Sequence, residues 1–373
     1  MNGLFEAAIT AVLFVLILGG LVLVHELGHF VTARLAGVRV LEFGVGFPPR
    51  AKVLASGGET LYTLNWLPIG GFVKLEGEDG AENDDPRSFS NASLPVRLII
   101  LLAGVAMNLV TALGIFTLIA LLATPLVGVT IGRVDPDSPA GRAGLQPGDS
   151  LIAVNGQKYE FFGGYVGEND MLRDIRSKAG QSVTLGVLHS SGARDDVVVT
   201  LRPPEQLSDT KGALGIQSPG ENLPFETRYY GEYVGHDPGT ALRIGAGETV
   251  RWFGLIIEGL GQVASRFVSN PAAAPPVQGP VGIAVSIGQI FFGAGPILTL
   301  YVAGILSANL ALVNALPFPP LDGGRMLVIL LKRLLGTRIS LQAERVTYFV
   351  GFAFLMAFLL WVTYFDVFGS AVR

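Results

Sequence analysis

His25-Glu26-Leu27-Gly28-His29 carries two imidazoles and a carboxylate in the pattern HExxH. On an α-helix, histidines four residues apart share one face and can both offer a nitrogen to one metal ion. Glu26 then sits beside that ion rather than on it. In hydrolases built this way, zinc lowers the pKa of its water toward neutrality, and the intervening glutamate takes the proton as the water attacks a carbonyl. An accidental HExxH on a soluble helix is the plain alternative. Against it, the pentapeptide closes an almost uninterrupted apolar run, Ala7 to Val24, and ionisable groups at membrane depth are costly and mark function. The chemistry suggested is peptide hydrolysis inside a bilayer.

A catalytic zinc has three protein ligands, and two histidines leave it one short. Asp322 answers this need. It closes Asn314-Ala315-Leu316-Pro317-Phe318-Pro319-Pro320-Leu321-Asp322-Gly323-Gly324, where prolines and glycines break the helix after an apolar run. Irregular backbone at this depth is tolerated where it is buried in protein or lines a wet cavity. A plain helix end with a solvated turn is the alternative, but such a turn needs no cluster of prolines around one carboxylate. Upstream, the amides of Asn309 and Asn314 suit a substrate backbone or a developing oxyanion, or else hydrogen bonds between helices. His189 and His236 read as surface groups. The chain has no cysteine, so disulfides, thiolate ligands and a cysteine nucleophile are excluded.

The elements that must position these groups are membrane helices. Half of the residues are hydrophobic, 15% are charged and the mean hydropathy is +0.51; this fits a polytopic membrane protein with a soluble part. The net charge of −4 argues against nucleic acid. Four runs are long enough to cross a hydrocarbon core: Leu4 to Ala33, Leu98 to Leu122, Ile297 to Leu316 and Tyr348 to Phe365. The first lacks the basic flank and cleavage site of a signal peptide and reads as a retained span. At about 1.5 Å per residue, the apolar stretch ahead of His25 climbs roughly 27 Å, so the motif lies toward the far end of the first helix.

Orientation follows from the basic residues. None precedes the first span, seven lie from Arg34 to Arg97, and five from Arg325 to Arg345, so those two short connections are expected in the cytoplasm. The segment from Thr124 to Gly295 holds 13 more, but domains of that length translocate largely regardless of charge. It is expected outside, with both termini, and the active site toward the cytoplasm. In the first loop, Lys52 to Leu75 alternates, with turn signals at Ser56-Gly57-Gly58 and Pro68-Ile69-Gly70-Gly71, so β-hairpins are expected, with an exposed edge strand near Gly70 to Leu75. Glu76 to Asp85 reads as an acidic solvated loop. Thr240 to Val268 has helical spacing of apolar residues, and Pro271 to Pro280 interrupts it.

Taken together, these stretches resemble the site-2 proteases, the bacterial intramembrane zinc metalloproteases that cut anti-sigma factors and leftover signal peptides. The resemblance rests on HELGH in the first span, Gly70-Gly71-Phe72-Val73-Lys74 in the loop, and Asn314…Pro317…Asp322-Gly323 in the third span, with Gly279-Pro280-Val281-Gly282-Ile283 ahead of it. It implies one Zn²⁺ per chain on His25, His29 and Asp322, with Glu26 as catalytic base. It also implies substrate binding by Asn314, Asn309 and the strand Gly71, Phe72, Val73 and Lys74. This chain departs from the pattern at Arg325, where relatives often carry histidine, and at Val105, where a proline is expected shortly before Asn108.

Within the external segment, Ser138-Pro139-Ala140…Ala143-Gly144-Leu145-Gln146-Pro147-Gly148-Asp149…Val154-Asn155-Gly156 resembles a bacterial PDZ domain, with a helix around Glu168 to Lys178. Its groove would begin at Gly128, Val129, Thr130 and Ile131 and could hold a peptide C-terminus; the alternative is a size filter with no open groove. The fold expected is therefore a polytopic α-helical membrane protein of about four transmembrane helices with an inserted α+β PDZ domain and a membrane-associated β-hairpin region. Residues 1–35 carry the first span, 36–96 the cytoplasmic loop, 97–126 the second span and 127–203 the PDZ domain. Residues 204–295 form an external linker with amphipathic helices, 296–324 the third span, 325–347 a cytoplasmic connection, and 348–373 the fourth span. Partners expected are single-pass membrane proteins or remnant signal peptides, peptide C-termini and the lipid bilayer. One rival is a receptor with a structural zinc, for which no fourth ligand is evident; another is a transporter, disfavoured by the lack of inverted repeats. No Gly-x-Ser-x-Gly element or paired intramembrane aspartates point to another protease class.

Overall fold

The computed structural model describes residues 2–78, 85–162, 167–208, 211–218, 226–269, 275, 277–335 and 340–369. The chain separates into two compact units, Met1–Ile115 with Thr249–Arg373, and Phe116–Glu248. Residues 79–84 of the expected acidic loop, and residues 271–274 and 276 of the Pro271 to Pro280 break, lie outside the described residues.

The first unit opens with α1 (Asn2–Leu35), a proline-free apolar helix. It ends in a Schellman turn: Gly37, at φ +75, donates to the Arg34 carbonyl, and Val38 donates to Ala33 at 2.9 Å, which closes off the last helical carbonyls. The chain then enters β1 (Val40–Gly57) and β2 (Thr60–Leu75), one antiparallel pair in which each strand bends back on itself. Residues 40–45 pair on one side with 71–75 and on the other with 61–64, so 71–75 is a sheet edge with a single strand partner among the described residues. After it comes α2 (Leu94–Leu122). Ala33, Val38, Val40, Leu75, Ile100, Leu101 and Ile329 bury one another at the foot of α1, binding α1, the hairpin and α2 together. Each large aliphatic side chain buried this way contributes about 1.5–3 kcal/mol.

The second unit contains β3 (Thr124–Thr130), β4 (Arg133–Val134), α3 (Pro139–Arg142), β5 (Ser150–Val154), β6 (Gln157–Glu160), α4 (Gly167–Ser177), β7 (Ser182–Leu188), β8 (Arg194–Thr200), β9 (Ile216–Gln217) and β10 (Glu226–Val234). Six strands form a sheet in the order β10-β3-β6-β5-β7-β8, with a further β3–β5 pairing, and β4 pairs with β9. Its core of Val127, Val129, Ile131, Leu151, Leu185 and Val187 is closed by Met171 and Ile175 of α4. β9 and β10, which follow Pro203, also belong to these sheets. Gly128 to Thr130 lie in β3, which pairs with β10 along one edge and with β5 and β6 along the other. Both edges of Gly128, Val129 and Thr130 are thus paired in this structure, with β10 along the edge where the sequence places a peptide groove, and Ile131 follows the strand.

The chain continues through α5 (Pro238–Ser269), α6 (Pro280–Ala294), α7 (Pro296–Ala315), α8 (Asp322–Leu335) and α9 (Leu341–Phe368). Among the described residues, four helical segments are long and apolar enough to cross a membrane: Gly3–Leu35, Leu94–Leu122, Pro296–Ala315 and Gln342–Phe368. Trp252 Nε1 of α5 donates to the Tyr301 hydroxyl of α7 at 2.8 Å. Asp366 of α9 accepts from the amides of Gly279 at 3.0 Å and Gly282 at 2.9 Å, capping the start of α6. Gly323 and Gly324 let α8 begin directly against the backbone of residues 315–319, where a Cβ would collide with the Ala315 and Phe318 main chain. This close turn returns Asp322 toward α1.

Candidate metal centre

His25 and His29 project from one face of α1, and Asp322 reaches the same point from the first residue of α8. His25 Nε2 lies 3.1 Å from His29 Nε2, and Asp322 Oδ2 lies 3.0 Å from the first and 3.4 Å from the second. His25 and His29 are 6% and 8% exposed. The Asp322 Oδ2 atom is buried with no hydrogen-bond partner. His29 Nδ1 donates to the Ile100 carbonyl at 2.8 Å, so in the neutral ring Nε2 carries the lone pair. Crowding an unprotonated imidazole nitrogen, a second imidazole and a carboxylate oxygen without protons between them is unfavourable unless a cation draws them together. Zinc bonds of about 2.0–2.1 Å in a tetrahedron put ligand atoms about 3.3 Å apart, which is the size of this triangle. The residues therefore fit one zinc ion through two nitrogens and one oxygen, and they are the group of metal-ligating side chains found among the described residues.

Two glycines make the approach of α1 to α2 possible. Gly28 rests on the Ala103 carbonyl and the Met107 side chain, and Gly104 faces the rings of both histidines. Asn108, one turn further along α2, is fully buried with its Nδ2 atom 3.4 Å from His25 Nδ1.

Glu26 faces the edge strand. Its Oε2 accepts the Val73 amide at 3.1 Å, on the side of residues 71–75 that has no strand partner. A cavity of about 150 Å³ lies beside it, walled by Glu26, His29, Phe72, Val73, Asp322 and Arg325, with Gly71 also on its lining. Arg325 pairs with Glu78 at 2.6 Å, and the two also line a second cavity with Pro320 and Tyr348. The ion pair thus forms part of the wall between two hollows.

Of the residues expected from sequence, the structure brings together His25, Glu26, His29, Asp322, Gly71, Phe72 and Val73. Lys74 is exposed and does not line the cavity, and neither do Asn309 and Asn314 on α7. Sequence reasoning gave no role to Asn108, Gly104, Glu78 or the Ile100 carbonyl. The one available signal was a lone amide in the otherwise apolar α2, four residues after a glycine.

The profile of peptidase family M50 matches residues 13–358. A zinc metalloprotease RasP of Geobacillus kaustophilus is 28% identical over 95% of this chain and 96% of its own. A putative zinc metalloprotease of Clostridium acetobutylicum is 31% identical over 95% of this chain and 96% of its own. One from Brucella suis is 28% identical, covering 96% of this chain and 95% of its own length.

Proposed function

Because the chain belongs to peptidase family M50, the site-2 type of intramembrane zinc metalloprotease, we propose that it cuts transmembrane segments of single-pass membrane proteins, anti-sigma factors and remnant signal peptides included, in regulated intramembrane proteolysis. The observation that carries this reading is the convergence of His25, His29 and Asp322 beside Glu26 in helices apolar enough to cross a membrane. In this reading those three residues hold the ion. Zinc, when bound, supplies Lewis-acid polarisation of the scissile carbonyl and acidifies water. Glu26 takes the proton of the attacking water and returns it to the departing amide nitrogen. Its hydrogen bond from Val73 fixes one carboxylate oxygen and leaves the other for the proton.

A substrate helix hides its carbonyls in its own hydrogen bonds and must open before it can be cut. Pairing with the unpartnered edge of residues 71–75 re-satisfies the opened backbone where water is scarce. Gly71, Phe72 and Val73 then hold the substrate next to Glu26, and Lys74 extends the same edge. Sidedness is assigned from the basic residues: the short connections carrying seven and five Lys and Arg face the cytoplasm together with the active site, and the Phe116–Glu248 unit and both termini face outward.

For the second unit the reading is a PDZ-type module that holds a peptide C-terminus, at a place other than β3. The support is a cavity of about 270 Å³ between Leu172, Arg173, Ile175 and Arg176 of α4 and the segment Gly212–Ile216. The carbonyls of Gly212, Ala213, Leu214 and Gly215 accept from Arg202, Ala140 and Asp135. Among the described residues the amides of Ala213, Leu214 and Gly215 donate to none. A cavity that places Arg176 beside these main-chain groups suits a carboxylate.

The test is cleavage by the purified chain of tagged single-pass segments, with the cut mapped by mass spectrometry. Cuts within the apolar segment, lost with a chelator and regained with zinc, support the protease reading; cuts confined to soluble flanks overturn it. For the second site, the full chain is titrated with peptides bearing a free or an amidated C-terminus. Binding that needs the free carboxylate and weakens in Arg176→Ala supports the groove, and equal or absent binding favours the size filter.

A further inference from the structure

Asn108 is a buried polar side chain that the reaction, as derived above, leaves without a role. It is 0% exposed, its Nδ2 lies 3.4 Å from His25 Nδ1, and its Oδ1 is buried without a partner. We propose that Asn108 is the positioning residue of His25, its amide oxygen accepting the Nδ1 proton and so presenting an unprotonated Nε2 to the metal. This inference rests on the reading of His25 as a zinc ligand.

His25 Nε2 lies 3.0 Å from Asp322 Oδ2 and 3.1 Å from His29 Nε2. To bind a cation there it must carry no proton, so the single proton of the neutral ring sits on Nδ1. An N–H cannot point at the NH₂ of an amide, because donor would then face donor. A half-turn of the amide exchanges oxygen and nitrogen within nearly the same outline, and the oxygen that lacks a partner then receives the proton.

His29 already has the equivalent arrangement, its Nδ1 donating to the Ile100 carbonyl at 2.8 Å. One face of α2 thus serves both imidazoles. Ile100 supplies an acceptor for one, Asn108 an acceptor for the other, and Gly104 between them gives the rings room. Asn108 is itself held from a third helix, since the Ser307 hydroxyl of α7 donates to its backbone carbonyl at 2.8 Å, and α7 leads into the segment that delivers Asp322. A ligating histidine whose far nitrogen has a fixed acceptor is a better ligand, and loss of such a partner typically weakens metal binding about 10- to 100-fold. The contrary role, an amide that merely joins helices, does not depend on which of its atoms meets His25.

The full-length chain in detergent is compared with Asn108→Leu, Asn108→Asp and His25→Ala. Zinc dissociation constants are measured against a chromophoric chelator, and the Tm of each metal-free protein is recorded. Asn108→Leu is expected to weaken zinc about 10- to 100-fold at an unchanged metal-free Tm. Asn108→Asp, which keeps an acceptor and removes the donor, is expected to bind at least as tightly as the parent. An Asn108→Asp protein weakened like the leucine variant, or a leucine variant with parental affinity, overturns the assignment. If the leucine variant does not fold, the aspartate variant alone decides, since it keeps zinc only if an oxygen is what His25 needs. His25→Ala must lose the metal; if it holds zinc as the parent does, the ligand reading has failed and the role of Asn108 with it.

Discussion

Gly104→Ala is a one-atom-group change that tests the packing of the metal centre. A Cβ at this position would lie 2.6 Å from Cε1 of His29 and 2.7 Å from Cε1 of His25, whereas ordinary contacts begin at 3.4 Å. The His29 Nε2 atom is nearer still, so the His25 ring would have to retreat by about 0.7 Å and the His29 ring by about 1 Å, against a tolerance of about 0.2 Å for metal–ligand distances. The rings are not free to do so, because His29 is tied to the Ile100 carbonyl at 2.8 Å and Gly28 of α1 already rests on Ala103. Overfilling a packed site costs about 1–3 kcal/mol. If that cost falls on the metal-binding arrangement, zinc affinity drops roughly five- to 150-fold. Gly114, on the same helix with nothing within 4 Å of its Cβ position, is the internal control; Gly114→Ala is expected to leave zinc binding unchanged. The assay is zinc competition with a chromophoric chelator for both variants and the parent. A Gly104→Ala protein that binds zinc within twofold of the parent refutes the claim that α2 presses on the ligand rings.

Three further outcomes are expected. Val73→Pro removes the amide that donates to Glu26 while keeping the strand, since proline is tolerated at an unpaired edge. Cleavage should fall about 10- to 150-fold at constant zinc content, as for loss of a charge-assisted hydrogen bond, and an unchanged rate would mean that this bond does not aim the base. Glu78→Ala leaves the Arg325 guanidinium without its partner and should cost about 3 kcal/mol, the lower end for a buried pair because both side chains are about one-fifth exposed. Unfolding titrations should show the loss, and the double variant Glu78→Leu/Arg325→Met should regain most of it. The hydrogen bond with Asp149 at 3.1 Å, aided by Asp195, raises His189 above its ordinary pKa of 6.5. A raised pKa means that the folded state favours the proton, so this contribution is complete below about pH 6.5 and is lost as pH rises through the folded value. NMR titration of the His189 ring should show the upward shift, and Asp149→Asn should reverse it.

The convergent residues His25, His29 and Asp322 were legible in the sequence because a carboxylate or imidazole inside an apolar run has few structural uses. His25, Glu26 and His29 declared themselves by helical spacing, and Asp322 by the prolines and glycines that turn α7 into α8. The sheet edge beside Glu26 was legible through Gly70-Gly71, but the sharing of residues 40–45 between two partners was not, since it depends on pairing between residues as far apart as Val40 and Leu75. The same limit explains the groove. Whether Gly128 to Thr130 form an edge is decided by Glu226–Val234, nearly 100 residues away. Asn108 escaped for the opposite reason: its type and setting suit helix–helix bonding equally well, and only its distance from His25 tells the two apart.

Glu26 as the base of a zinc centre is tested most directly by pairing metal content with cleavage in the parent chain and Glu26→Gln. That role predicts near one zinc per chain in both proteins, with a tagged single-pass segment cut by the parent alone. Cleavage by Glu26→Gln at the parental rate, or an absence of zinc from the active parent, would contradict it.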